Sequence, residues 1–393
     1  MKKLSNFIVY SMLGIVLSAI FPACDDNDSV NADAEKEKEL SAIVAQYVDK
    51  TVIATYTELA DATIDLYETI LLLQEPDGKT DANIALVADR WKSCREHWEL
   101  SEAFLFGPVD IFHIDPHIDT WPLDEEAFNA ELGNYSHINS MAGENGDIWV
   151  AEHLGASLLG FHGIEKILFE NGQVKPANAI TVNELIYAIA VAGDLRNQCV
   201  RLEAAWKGFG NVSGEKQQLL EEKELAYEIS GSEWAYGEIM KNAGKAGSIY
   251  PSVTSAAGAI LDGALTIADE VGNVKIGTAA AFGANEEDKN YIESPYSHNS
   301  LEDFANNIKS IENAYLGGAY NNRGVSVSAY IAQKNPQADT RVKEAIAASY
   351  AAIAAIPSPF VQNFTSAEAD AAVTIIGTNL VKVLEDAKAV IYE

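Results

Sequence analysis

Apolar residues recur every three or four positions along most of this chain, a spacing that predicts helices. Leu59, Ala62, Leu66, Ile70 and Leu73 mark a long first helix that closes before Pro76-Asp77-Gly78. A second is predicted from Asp81 to Phe106, with Ile84, Trp91, Trp98 and Leu105 inward, stopping at Gly107-Pro108. After a loop-rich stretch to about Asn145, a third spans about Asp147 to Glu170. Leu185, Ile189, Ala192, Cys199, Leu202 and Trp206 share one face of a fourth, which ends at Gly208. A charged helix over about 214–229 leads into a Gly-rich region reaching about 290, with one clear helix at 252–270. Ser300 and Asp303 read as a capping box opening a helix whose inner face is Leu301, Phe304, Ile308, Ile311 and Tyr315. The last helix repeats Val373, Ile376, Leu380, Val383, Ala387 and Val390. Strand signals are few. The pattern predicts an all-α protein of two packed helical bundles, residues 36–235 and 236–393.

Charges inside the apolar stripes change the picture. Leu154, Leu158, Leu168 and Phe169 share an arc with Glu165 near its centre and His162 at its border. Residues three apart on a helix project from one face, so the pair can grip one ion or polar group. An unpaired buried carboxylate costs several kcal/mol, so something must meet it. Gly155, Gly160 and Gly163 read as mid-helix glycines, each about 0.8–1 kcal/mol worse than Ala there, which implies a close neighbour. Arg95 and Glu102 fall in line with the buried face of the second helix. They form an internal salt bridge, or Glu102 is a third ligand and Arg95 keeps the carboxylates ionised. His113, Asp115, His117 and Asp119 alternate and would face one way in an extended loop, as a metal site requires. Pro116 interrupts that alternation, and Asp in loops often caps turns. The polar loop Glu293-Ser294-Pro295-Tyr296-Ser297 reaches His162 only if the bundles face each other.

Composition narrows the partners. Among 393 residues, 58 are acidic and 27 basic, a net charge of -31 that argues against nucleic acid or anionic lipid as main ligand. Lys2 and Lys3 precede an uncharged run from Phe7 to Phe21, too short to span a bilayer and typical of an export signal. Ala23-Cys24 resembles a lipoprotein cleavage box, predicting a signal peptide over 1–23, lipidation at Cys24 and an acidic linker over 24–35. The acidic residues after Cys24 resemble the surface-export tag of Bacteroidetes lipoproteins. The expected location is the cell envelope, anchored to the outer membrane only by that lipid, on its periplasmic or outer face. Cys94 and Cys199 lie on apolar stripes and are expected as buried thiols. The sequence has no phosphate loop, dinucleotide fingerprint or His-Glu-x-x-His.

Gly160-Phe161-His162-Gly163-Ile164-Glu165 resembles the Gly-x-His-x-x-Glu signature of the imelysin-like family. Trp91 to Trp98, Ser101-Glu102-Ala103-Phe104, Asp115-Pro116, Asp119-Thr120-Trp121-Pro122 and Glu293-Ser294-Pro295-Tyr296-Ser297 resemble it as well. The resemblance implies two helical bundles with the signature near their interface, an envelope lipoprotein and an association with iron uptake and its transport partners. By position it places the site at His162 and Glu165, opened by Gly160 and supported by Gly163. Glu102 extends the metal set from the helical wheel, and Arg95, Asp115, Asp119, Ser294 and Ser297 are its candidate supports. Three functions stay open. One is binding of a metal ion, iron or zinc, or of a small iron-related ligand. Another is a zinc metallopeptidase with His162 and Glu165 as ligands and Glu102 and Arg95 in catalysis. The third is a non-catalytic lipoprotein in which the pair staples the bundles.

Overall fold

In the computed structural model, residues 26–281 and 291–393 are described, with side chains from Asp33 onward. The export signal and Cys24 lie outside the described residues. Helix α1 (Asp26–Tyr47) and helix α2 (Ile53–Leu71) form one rod through a π-helical turn at Val48–Val52. The stretch read as a linker is therefore helical from Asp26. Leu40, Ile43, Val44 and Tyr47 anchor α1 in the core.

Helix α3 (Asp81–Glu99) starts at Thr80, whose hydroxyl accepts from Asn83 N, and stops earlier than the periodicity predicts. Beyond Glu99 the chain tightens into a 3-10 turn at Glu102–Phe104. Partners from other helices satisfy that turn: Ala103 N donates to Ser310 Oγ at 3.0 Å, and Tyr56 donates its hydroxyl to Phe104 O at 3.1 Å.

The expected helix from Asp147 to Glu170 is broken. It consists of Gly146–His153, a 3-10 turn at Ala156–Leu158, and helix α4 (Gly160–Leu168). Leu154 and Leu159 are extended, and Gly160 has φ +63°, a conformation that favours glycine. A Cβ on Gly160 would lie 1.7 Å from Ile118 O. Gly160 thus opens α4 instead of interrupting a helix, and lets the segment ending at Asp119 lie against the signature.

Helix α5 (Val182–Lys207), opened by a Thr181–Glu184 capping box, packs against α2 and α4. The second bundle is built from helices α6 (Val253–Asp269), α7 (Ser300–Leu316), α8 (Pro336–Ala355) and α9 (Val381–Tyr392). Helix α1 leans on α6, and Gln46 Nε2 donates to Gly317 O at 2.8 Å and Asn322 O at 2.9 Å, so the first rod ties into the second bundle. The capping box expected at Ser300 is absent: Asn299 precedes the helix without capping it, and Asp303 turns inward.

Two further π-helical segments, Glu270–Ile276 after α6 and Ile375–Leu380 before α9, touch where a Cβ on Gly272 would meet Gly377 N at 2.2 Å. Helix α7 packs on α3 and α6 on the 102–104 turn, so one apolar core runs through both bundles. Phe169–Glu170 and Gln173–Val174 pair as a minimal antiparallel hairpin. Among the described residues, no helix is long and apolar enough to cross a membrane.

Candidate metal centre at the bundle interface

His162 and Glu165 sit on the buried face of α4, 1% and 0% exposed. His162 Nδ1 lies 3.0 Å from Glu165 Oε2. The other carboxylate oxygen accepts from Tyr296 N at 3.0 Å, Ser297 N at 2.8 Å and Ser297 Oγ at 2.7 Å. Glu165 thus orients the imidazole and holds the 293–300 loop of the second bundle. His162 Nε2 is 3.2 Å from Asp119 Oδ1 but outside hydrogen-bonding geometry, and it has no other partner among the described residues.

Arg95, fully buried on α3, ties the interface together. Its guanidinium meets Glu99 at 2.5 Å, Glu293 at 2.6 Å, Asp303 at 3.4 Å, and Asp119. Trp98 Nε1 donates to the second Asp119 oxygen at 2.7 Å. Asp303 accepts from Ser294 Oγ at 2.5 Å and Asn299 Nδ2 at 2.6 Å. Lys275, carried inward on the π-helical segment, reaches Glu293 at 3.1 Å, Glu102 at 3.4 Å and Glu99 at 3.5 Å. Asn307 Nδ2 also donates to Glu99.

The electrostatics are unbalanced. Among the described residues, Glu99, Glu102, Asp119, Glu165, Glu293 and Asp303 are buried against Arg95, Lys275 and His162 alone. Burial pushes Asp119 up, but Arg95 above all pulls it down to about 2. Burial lowers His162, yet contacts with Asp119 and Glu165 outweigh it and raise the imidazole to about 9. Burial drives Glu99 and Glu102 well above the carboxylate range, Arg95 and Lys275 notwithstanding. Asp303 rises to about 6, through burial and Glu293 and against the pull of Arg95. Among the described residues, buried carboxylates in this cluster thus outnumber the cations that face them.

One set of donors suits a metal. Asp119, His162 and Glu293 each offer a ligand atom, all within 4.8 Å of one another. Glu293 Oε2 and His162 Nε2 are buried without hydrogen-bond partners among the described residues, which is costly unless something else meets them. A cleft of about 540 Å³ has His162, but neither Asp119 nor Glu293, among its lining residues.

Several sequence expectations are redistributed. Glu165 is committed to the loop. Glu102 pairs with Lys275, not Arg95, and a second acidic trio joins it to Glu99 and Asp119. The His113–Asp119 alternation fails because Ile114–Ile118 is helical. His113 is exposed, His117 lies 2.7 Å from Asp194, and Asp115 lines another cleft beside Glu102. Only Asp119 of the four reaches the signature. Gly163 is tight inside α4, where a Cβ would lie 2.9 Å from Leu158 O. Cys94 and Cys199 are buried free thiols. Sequence reasoning missed Glu99, Lys275 and Asp303. Lys275, a lone cation between Val274 and Ile276, was the one visible signal.

The family model described as Imelysin matches residues 52–387, most of the chain. The chain belongs to the imelysin family. It is 26% identical over 338 residues to "Iron-regulated protein A" of Synechococcus elongatus, covering 86% of this chain and 82% of that protein. A crystal structure of a putative iron-regulated protein A precursor from Parabacteroides distasonis is 26% identical, with a TM-score of 0.74, covering 90% of this chain and 95% of that one. An imelysin-like protein from Psychrobacter arcticum, 14% identical with a TM-score of 0.57, shares the fold over 90% of this chain and 93% of its own. Imelysin relatives thus match both bundles.

Proposed function

We propose that this imelysin binds a divalent metal ion through His162 Nε2, Asp119 and Glu293, as an envelope lipoprotein anchored at Cys24 and serving iron uptake. The carrying observation is the buried imidazole nitrogen and carboxylate oxygen left without hydrogen bonds in a cluster short of positive charge. One imidazole with two carboxylates suits iron or zinc. The names of the cyanobacterial and Parabacteroides relatives support iron. Glu165 holds His162 from its Nδ1 side, as partners of metal-binding histidines commonly do. A peptidase using Glu165 as a zinc ligand would have to compete with the hydrogen bonds that already occupy both carboxylate oxygens. The stapling role has its own support, since those bonds join α4 to the second bundle's loop.

Metal analysis of the purified protein tests this. The expected result is bound iron or zinc in the wild type, and its loss in His162→Ala and Glu293→Gln without loss of fold. Equal metal in all three removes the proposal and leaves the staple.

A further inference from the structure

A second cleft, of about 440 Å³, is lined by Glu102 but by none of His162, Asp119 and Glu293. Its volume falls in the range of sites for small organic molecules. Close approaches fix its walls. A Cβ on Gly263 would lie 2.0 Å from Ala103 O, so α6 presses directly on the turn that carries Glu102. A Cβ on Gly107, where φ is +65°, would lie 2.3 Å from the Tyr236 ring. The Tyr236 hydroxyl is held 3.0 Å from that of Tyr250. Phe106 and Tyr236, with ring centroids 6.4 Å apart, are thus a set aromatic wall.

The polar part of the lining is acidic. Glu102 is 6% exposed, and its one hydrogen bond comes to Oε1 from Lys275 at 3.4 Å, which leaves Oε2 free. Asp115 and Glu270 line the cleft half-buried, and among the described residues neither carboxylate has a hydrogen bond or an ion pair. Burial, with Asp119 and Glu270 nearby, raises Asp115 to about 7, and burial raises Glu270 as well. The exposed Asp110 adds another unpaired carboxylate, whereas Asp262 is taken by Lys388. Among the described residues, no basic side chain lines this cleft.

The spacing of the acids selects among cations. Among the described residues, the groups whose ligand atoms gather within 4.8 Å include neither Asp115 nor Glu270. Carboxylates set further apart suit a cation that spreads its donors. A guanidinium carries five N–H donors in one plane, pairs with carboxylates as a fork and lies flat on aromatic rings.

We propose that this cleft binds a small guanidinium compound, its head among Glu102, Asp115 and Glu270 and its carbon chain along Phe106 and Tyr236. Asp110 favours a second positive group on the guest and disfavours a carboxylate. The metal-binding reading is not needed for this site, and either can fail alone.

Calorimetry on the purified protein at pH 8 tests this with agmatine, putrescine, arginine and a capped Gly-Arg-Gly peptide. Agmatine and putrescine carry the same charge, so general attraction to an acidic protein treats them alike. Agmatine is expected to bind about tenfold more tightly than putrescine, as one further charge-assisted hydrogen bond supplies. Arginine, with its carboxylate, should bind more weakly than agmatine. Glu270→Gln and Asp115→Asn, two separate variants checked for fold by circular dichroism, should each weaken agmatine about tenfold and putrescine less. Equal affinity for agmatine and putrescine overturns the inference, and so does agmatine binding that neither folded variant alters. A peptide that binds more tightly than agmatine overturns the assignment to a small molecule.

Discussion

Two kinds of buried charge occur in this imelysin, and the contrast separates scaffold from site. Within the first bundle, Glu203 is met by Lys207 at 2.8 Å, Lys216 at 2.6 Å and Thr57 at 2.8 Å. Asp147 is met by Arg196 at 3.1 Å, Asn197 at 3.0 Å and Lys223 at 3.0 Å. Each of those carboxylates has two cations and no unpartnered oxygen. At the interface the ratio reverses, and His162 and Glu293 keep atoms without hydrogen bonds. A balanced network fixes geometry and needs nothing more. An unbalanced one is costly unless a ligand completes it.

The contrast breaks most visibly at Arg95. Arg95→Met removes the cation shared by four buried carboxylates and is expected to cost about 3–5 kcal/mol in urea unfolding. Added divalent metal should restore part of that loss. A variant as stable as wild type would mean the cluster is already neutral.

Alkaline pH is the next lever. His162 rises from 6.5 to about 9 on folding, so its contribution is complete below pH 6.5 and lost as pH climbs through 9. Without metal, stability should fall by on the order of 3 kcal/mol across that window. With saturating metal, thermal unfolding should show a flatter profile. Asp119, lowered from 3.8 to about 2, acts in the opposite sense: its contribution is present above pH 3.8 and lost as pH falls through 2.

Lys275→Met should cost about 2 kcal/mol at neutral pH, the scale of hydrogen bonds to charged groups. The loss should shrink as pH falls, because burial raises both Glu99 and Glu102 and so favours their neutral forms. A cost that does not change with pH would show that Lys275 acts through packing instead. Smallest of all, Lys223→Ala removes a half-buried partner of Asp147 and should change stability by about 1 kcal/mol or less, with metal content unchanged.

Much of the architecture was legible in apolar spacing, because helices such as α2 and α9 bury one continuous face. Breaks were harder to read. Residues 146–168 look like one helix until Gly160 must adopt φ +63° against Ile118, a constraint from a distant strip of chain. His162, Glu165 and Arg95 stood out as charges in apolar stripes. Glu99 and Asp303 did not, since acidic residues beside helix termini ordinarily face water. Lys275 needed the π-helical turn to point inward, and spacing rules assume regular helices. Bringing Glu293 to Arg95 required the two bundles in contact, which no local pattern encodes.

The crossing of the two π-helical segments puts control of the interface at a distance from it. Lys275 rides three residues past Gly272, whose Cα has room only for hydrogens against the backbone of Gly377. A single methyl group there would wedge the segments apart and draw the lysine out of its acidic company. The charge balance of the interface is therefore adjustable from a spot outside the buried cluster, by a change as small as one methyl group.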